Sequence, residues 1–306
     1  MRKLMALLAL TPLLVAQQPK RPRILGVAHI ALFVSDIEKS RTFYKDFLGY
    51  GEPFKLDKPD GSLSLTFIKI NDRQYVELFP GLQPGADRLN HISIQTDDAE
   101  AMRVYLGSRG VKVPPKVPKG RIRNSNFNVK DPDGHTVEIV QYEPDGWSMR
   151  EKGKFMPATR ISERMMHLGI IVGDLKAANQ FYGDILGFHE IWRGSSKGDV
   201  LSWTNMQVPD GEDYIEFMLY KDLPAADHRL SQHHICLVVP DMAQAKATLE
   251  GRAAKTGYTK PMEIRTGTNR KRQMNLFDPD GTRVELMEPK TIDGTPTPSS
   301  TAPPPR

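Results

Sequence analysis

The sequence predicts an α+β protein made of four βαβββ units in two pairs, on three observations. The stretch "VAHIALFVSDIEKSRTFYKDFLGY" at 27–50 returns in altered form as "MMHLGIIVGDLKAANQFYGDILGF" at 165–188. The tetrad "DPDG" also occurs twice, before "HTVEIV" and before "TRVELM". Two stretches without apolar periodicity, 143–164 and 289–306, set off blocks at 24–142 and 165–288, so an internal repeat organises the chain.

The elements follow in order. "VAHIALFV" alternates like a strand, and Ser35 or Asp36 caps a helix whose Phe43, Tyr44, Phe47 and Leu48 recur at helical spacing until Gly49 stops it. That spacing assigns the aromatics, with Phe181 and Tyr182 in the second block, to the core. Strand runs "SLSLTFIKI" and "QYVELF" complete the first unit. The next unit has "LNHISIQT" as strand, "DDAEAMRVYLGSRG" as helix and "SNFNVKDPDGHTVEIVQY" as hairpin, with Pro132 and Gly134 at the second and fourth turn positions. "HHICLVV", "MAQAKATLEGRAA" and "MNLFDPDGTRVELME" repeat this in the second block.

With 39% hydrophobic and 26% charged residues in 306, the chain has the composition of a globular protein of two domains. "MRKLMALLALTPLLVAQQ" places two cations before a short apolar run, the pattern of a signal peptide over 1–16, and a periplasmic or secreted protein is expected. The run is too short for a final membrane span. Loss of Arg2 and Lys3 lowers the formal charge from +5 to +3, spread along the chain, which leaves no nucleic-acid footprint. Cys236 is the single cysteine, so no intrachain disulfide forms. Residues 143–164 read as a linker and 289–306 as a disordered Pro/Ser/Thr-rich tail.

Each unit opens with a histidine in its first strand, His29, His91, His167 or His234, and closes with a glutamate in its last, Glu77, Glu138, Glu216 or Glu285. The glutamates sit between apolar neighbours, so each points to the face opposite them, where an ionised carboxylate needs a partner. A divalent metal is the economical one. Imidazole with carboxylate suits Fe2+, Zn2+, Mn2+ or Ni2+, and one or two such ions are expected, with coordination positions left for a small-molecule substrate.

The histidine strands, the "SRTFYKDFLG" and "ANQFYGDILG" helices and both "DPDGxxxE" endings resemble the vicinal oxygen chelate (VOC) superfamily of glyoxalase I, bleomycin resistance proteins and extradiol dioxygenases. The resemblance covers both blocks. It implies two domains, each a cupped mixed eight-stranded sheet with flanking helices and a metal in its concavity held by the eight residues named. They group either within a domain (His29, Glu77, His91, Glu138) or across domains (His29 and Glu77 with His234 and Glu285). The implied activity is metal-dependent chemistry on a small oxygenated substrate chelated through adjacent oxygens, with Glu138 or Glu285 moving a proton. A glyoxalase-like lyase or isomerase is favoured; a ring-cleaving dioxygenase and a non-catalytic binding protein of the resistance type are the alternatives.

Departures from the family pattern narrow the substrate. Where bacterial glyoxalase I places an arginine for the glutathione carboxylate, this chain has Phe33 and Ile171; where it has an asparagine, this chain has Gly81 and Tyr220. The histidine and tyrosine that precede the turn in extradiol dioxygenases are missing as well. Arg121, Arg123, Arg270 and Arg272 are instead the candidates for holding a substrate anion. Trp192 and Trp203 are candidate lining residues, His233 points away from the cup by alternation, and His135, His189 and His228 read as surface residues. Export predicts a mature N-terminus near Gln17; mass spectrometry of the purified protein should find it, and soluble cytoplasmic protein retaining the first sixteen residues contradicts it.

Overall fold

The computed structural model describes residues 19–229 and 231–305, so the signal peptide expected at 1–16 lies outside the described residues. The first unit runs from β1 (Ile24–Val34) through α1 (Ile37–Arg41), continued by a π-helical turn at Thr42–Phe47, to β2 (Gly51–Asp57), β3 (Leu63–Lys69) and β4 (Tyr75–Pro80). The second has β5 (Leu89–Thr96), α2 (Ala99–Ser108), β6 (Ser125–Lys130) and β7 (Thr136–Gln141), and α3 (Trp147–Arg150) follows in the connection. The third has β8 (Met165–Val172), α4 (Leu175–Ala178) with its own π-helical turn at Asn179–Ile185, β9 (His189–Gly194), β10 (Trp203–Gln207) and β11 (Tyr214–Leu219). The fourth has β12 (His234–Val238), α5 (Met242–Thr256), β13 (Arg265–Thr266), β14 (Lys271–Phe277) and β15 (Arg283–Thr291). All four unit helices start on an aspartate whose carboxylate accepts from first-turn N–H groups: Asp36, Asp98, Asp174 and Asp241.

The strands form two mixed sheets, ordered β2-β3-β4-β1-β5-β7-β6 and β13-β14-β15-β12-β8-β11-β10-β9. The second sheet has the eight strands expected; the first has seven. Where the eighth belongs, "VKVPPKVPKG" contributes only an isolated bridge from Lys119 to Ser125, because Pro114, Pro115 and Pro118 offer no N–H to a ladder. In each sheet the first strands of two units pair antiparallel at the centre, and each pairs parallel with the last strand of its own unit.

One continuous apolar core runs through both domains, and Phe43, Tyr44, Phe47, Phe181 and Tyr182 are buried in it as the helical spacing predicts. The domains also interlock. Tyr44 of α1's turn donates to Asp278 of the second "DPDG" (3.3 Å) and Tyr182 to Asp131 of the first (3.1 Å). Phe47 stacks on Tyr258 at 4.3 Å, and Tyr105 of α2 donates to the Ile185 carbonyl at 2.7 Å.

The connection at 143–164 is packed rather than loose: Trp147 meets Phe54 edge-on at 5.7 Å, and the buried Lys69 ammonium donates to the Glu151 carbonyl (2.6 Å) while pairing with Asp72 (2.7 Å). The tail expected to be disordered at 289–306 is fixed over its described part. β15 extends to Thr291, Thr297 donates to the Asn269 carbonyl (2.6 Å), Ser300 N–H to Arg193 (2.9 Å), and the Pro303 carbonyl accepts from Leu201 (2.8 Å). A proline-rich segment has few N–H donors and little apolar bulk, which is what its composition reports, but its remaining donors and its carbonyls still bond the loops and strand edge of the second sheet.

Asp213 ties the two halves at their seam, accepting from Val27 N–H (3.1 Å) and the Gln74 amide (3.2 Å) while pairing with Arg164 (3.0 Å). Asp213→Ala leaves the buried Val27 N–H without its acceptor and removes one of the two carboxylates that hold Arg164, and the expected loss is about 1–3 kcal/mol in urea unfolding; a change below about 0.5 kcal/mol contradicts this account of the seam.

Candidate metal centres

The strand register brings the predicted histidines and glutamates together within each domain, not across the two. In the first sheet Ala31 pairs with both His91 and Glu77, while Ser93 pairs with both His29 and Glu138. This sets two histidines diagonally on the central strands and a glutamate on each flanking strand, all on one face. In the second sheet Gly169 pairs with His234 and Glu216, and Cys236 with His167 and Glu285. The grouping left open by sequence is thereby decided by backbone pairing.

In the first cup His29 Nε2 lies 2.9 Å from His91 Nε2, 3.5 Å from Glu77 Oε1 and 3.6 Å from Glu138 Oε1. His91 Nε2 lies 3.8 and 3.7 Å from the other oxygens of the same glutamates. All four side chains are buried. His91 Nδ1 donates to Asn90 Oδ1 (2.9 Å), a partner that leaves the Nε2 lone pair facing the cluster. Asn126 donates to Glu138 at 2.8 Å, and Ser93 at 3.4 Å. The cluster borders a cavity of about 210 Å³ walled by Phe67, Phe79, Tyr75 and Tyr142, with Arg121 among its lining residues.

The second cup repeats the cluster with different surroundings. His167 Nε2 lies 3.1 Å from His234 Nε2 and 3.4 Å from Glu285, and His234 Nε2 lies 3.4 Å from Glu216. His234 Nδ1 lies 2.9 Å from the Gln232 carbonyl and 2.7 Å from Arg283 Nη2, of which one tautomer bonds only one, whereas His167 Nδ1 is buried without a partner among the described residues. Trp192 and Trp203 line a cavity of about 90 Å³ here, together with Glu216, Asn275, Arg283 and Glu285.

The donor set fits a divalent ion in charge and chemistry. Two imidazole nitrogens and two carboxylates from four strands converge out of water, a combination suited to Zn2+, Fe2+, Mn2+ or Ni2+. In the first cup burial, then the charge of Glu138, pushes Glu77 well above the usual carboxylate range. Burial raises Glu138 to about 7 against the hydrogen bonds from Asn126 and Ser93. Burial lowers His91 to about 4, and burial with the neighbouring His91 holds His29 well down. In the second cup burial opposes ionisation of Glu285, but the His167 hydrogen bond and the Arg283 charge outweigh it and bring it to about 2.

Of the four arginines proposed for a substrate anion, only Arg121 lines a cup, its guanidinium donating to the Asp57 carbonyl. Arg123 and Arg270 occupy left-handed turn positions (φ 66° and 59°) and pair at the surface with Asp145 (2.5 Å) and Asp293. Arg272 stands in β14 out of phase with the cup-lining Gln273 and Asn275 and faces Glu288 at 3.8 Å. Arg283, two residues before Glu285 and therefore on its face, is the residue sequence reasoning missed; the strand parity already applied to the glutamates finds it. The same parity finds Ser93, two residues beyond His91. His135, read as a surface residue, is buried and bonded to Asp131 (2.8 Å), because the turn folds back under the helix of the other domain. His233 does face away from the cup, towards Asp87 at 3.3 Å.

The pH dependence of the metal-free protein follows from these shifts. Glu138 contributes stability below the unfolded value of 4.5 and loses it as pH rises through about 7, since the folded state holds its proton longer. His91 acts in the opposite sense, adding stability as pH rises from about 4 to 6.5. The two offset each other up to 6.5. Above that the histidine contribution is complete while the carboxylates still lose protons, so chelator-treated protein should lose stability as pH rises from 6.5 through about 7. Affinity for a divalent ion should rise over the same interval, as ligation requires an ionised carboxylate and a second negative charge beside the ion adds to it. Thermal melts at stepped pH, with and without Mn2+, check both; melting curves insensitive to pH there contradict the buried pair.

A family model described as the Glyoxalase/Bleomycin resistance protein/Dioxygenase superfamily matches residues 26–139 and 164–286. A lactoylglutathione lyase from Pseudomonas putida is 27% identical over 147 residues, covering 38% of this chain and 84% of that protein. A probable lactoylglutathione lyase from Synechocystis sp. is 30% identical over 124 residues, covering 37% and 92%. Among solved structures, a variant of homoprotocatechuate 2,3-dioxygenase from B. fuscum has a TM-score of 0.67 at 17% identity over 93% of this chain and 77% of that one. The 2,3-dioxygenase LapB from Pseudomonas sp. has 0.65 at 15% identity over 90% and 97%. At such identities the likeness is one of fold. Matched in both of its halves, the chain belongs to the glyoxalase/bleomycin resistance protein/dioxygenase superfamily.

Proposed function

We propose that this protein is a divalent-metal-dependent enzyme that moves a proton on a small oxygenated substrate, as a lyase or isomerase, and that the reaction takes place in the first cup. The observation that carries this reading is the second carboxylate. His29, His91 and Glu77 already make a two-histidine, one-carboxylate set, and Glu138 adds an acidic group at the same imidazole nitrogens. Burial raises Glu138 to about 7 in the metal-free protein, and a divalent cation beside it favours the ionised form, which is the form a general base needs.

His29, His91 and Glu77 would hold the ion, which when bound supplies a Lewis acid for adjacent substrate oxygens. Asn126 fixes one oxygen of Glu138, so the other, held only by the 3.4 Å bond from Ser93, can take a proton from a carbon beside the polarised oxygen and return it to a neighbouring atom. Phe67, Phe79, Tyr75 and Tyr142 favour a substrate with an apolar body and exclude water from the charge that develops. Arg121 is the group available for a substrate anion.

The triad alone also suits ring-cleaving oxygen chemistry, which is the second reading. Glu138→Gln separates the two. The amide keeps the shape of the carboxylate but accepts no proton, so proton transfer should fall by about 100-fold or more while the ion, held by His29, His91 and Glu77, is retained. In a dioxygenase, activity should instead track iron content and oxygen should be consumed in proportion to product. Rates, metal content and oxygen uptake are to be measured on α-keto aldehydes, hydroxy acids and catechols. A metal-replete Glu138→Gln variant with full activity rules out the proton-transfer role, and binding of these compounds without turnover favours a resistance-type binding protein.

A further inference from the structure

The two cups share a ligand pattern but differ at one residue that bears directly on metal binding. Arg283 Nη2 lies 2.7 Å from Nδ1 and 3.1 Å from Nε2 of His234, so a guanidinium runs along the imidazole whose Nε2 belongs to the cluster. The side chain is always protonated, and its Nε is buried without a partner among the described residues. In the first half the matching position after "DPDG" is Thr136, which bonds Lys130 at 2.8 Å and sends no charge into the cup.

Two further features agree. The four first-cup residues all border their cavity of about 210 Å³, whereas the cavity of about 90 Å³ in the second cup reaches Glu216, Glu285 and Arg283 but neither histidine. The His234 ring also lies against Gly169, where a Cβ would come within 1.8 Å of it; the first half has Ala31 at that register position. His234 is thus pressed onto the strand on one side and flanked by a guanidinium on the other. An arriving divalent ion meets two glutamates 3.4 and 3.8 Å from an imidazole that a fixed positive charge already flanks, and it must lodge within a few ångströms of that charge.

We propose that Arg283 is the resident cation of the second cup, so that the full-length chain holds a single divalent ion, in the first cup, while the second cup stays metal-free. This rests on the first cup being a metal centre, as proposed above. Arg283 therefore decides which half of a duplicated protein is the metal-binding half.

The test uses full-length protein stripped with chelator, desalted and titrated with Mn2+ alone, with stoichiometry from calorimetry and elemental analysis. One ion per chain is expected. His91→Ala should weaken it by roughly 100-fold or more, and His234→Ala should leave it in place. Arg283→Thr should open a second binding event and bring the count to two. Arg283→Met, which keeps the packing of the stem without the charge, should do the same if the threonine variant folds poorly. An increased upward shift of the melting temperature with Mn2+, relative to wild type, provides a separate readout in either variant. Two ions per wild-type chain overturn the inference, as does one ion lost in His234→Ala but kept in His91→Ala. A count that stays at one in folded Arg283→Thr and Arg283→Met removes the role given to Arg283. Zero ions bound by the wild type, by contrast, overturns the proposed function and this inference with it.

Discussion

Two carboxylates held face to face out of water are the constraint around which each half of this molecule is arranged. Two like charges in one buried cluster repel each other through a medium that screens them poorly, and burial adds a desolvation cost to each. Hydrophobic packing cannot relieve that. What relieves it must be polar and must arrive from the same few strands. In the first cup Asn126 and Ser93 bond Glu138, and two imidazoles stand between the carboxylates, an arrangement that still leaves Glu77 well above its usual range. In the second cup Arg283 contributes a full positive charge, and Glu285 falls to about 2.

The backbone meets this constraint through register. Each central strand pairs antiparallel with its counterpart and parallel with the last strand of its own unit, so a histidine and a glutamate from each unit reach one point under an approximate two-fold relation. A slip of one residue in any pairing turns that side chain to the other face. The opposite faces are committed to the common core, where Ile30, Leu32, Ile92 and Ile94 of the two central strands are buried. The interlock adds a second layer: each "DPDG" turn that launches a glutamate strand also receives a tyrosine from the other domain's helix. Distortion at the domain seam therefore reaches the strands that carry Glu138 and Glu285.

Much of this was legible in the sequence because it is periodic. The duplicated "FYxDxLG" helix, the alternation that isolates each glutamate among apolar neighbours and the doubled "DPDG" gave the unit order, the core aromatics and the eight residues of the two clusters. Less legible was whatever depends on hydrogen-bond capacity or on partners far away in the chain. Three prolines withdrew a strand from the first sheet, although the stretch around them holds valines suited to one. The tail has the composition of a disordered segment, yet Ser300 donates to Arg193 of β9 and the Pro303 carbonyl accepts from Leu201, and composition carries no record of that. The arginines fell on the wrong side because basic residues near a cup were counted without regard to parity: Arg272 and Arg283 differ in the face that their position in the strand assigns them.

Divergence between the halves needs no change of fold. Ala31 corresponds to Gly169, Ser93 to Cys236 and Thr136 to Arg283, at matching points of register on the cup faces. Removing one Cβ lets an imidazole drop onto the strand, and lengthening a strand-end residue brings a cation beside it. Sulfur in place of a hydroxyl makes the remaining wall more apolar, and Cys236 packs with Met166, Tyr214 and Met287 in a small cluster of its own. Each change acts on the space or the charge at the carboxylates and leaves the ladder beneath untouched. The repeated pattern therefore reports the architecture, while the differences between equivalent positions decide what each cup holds.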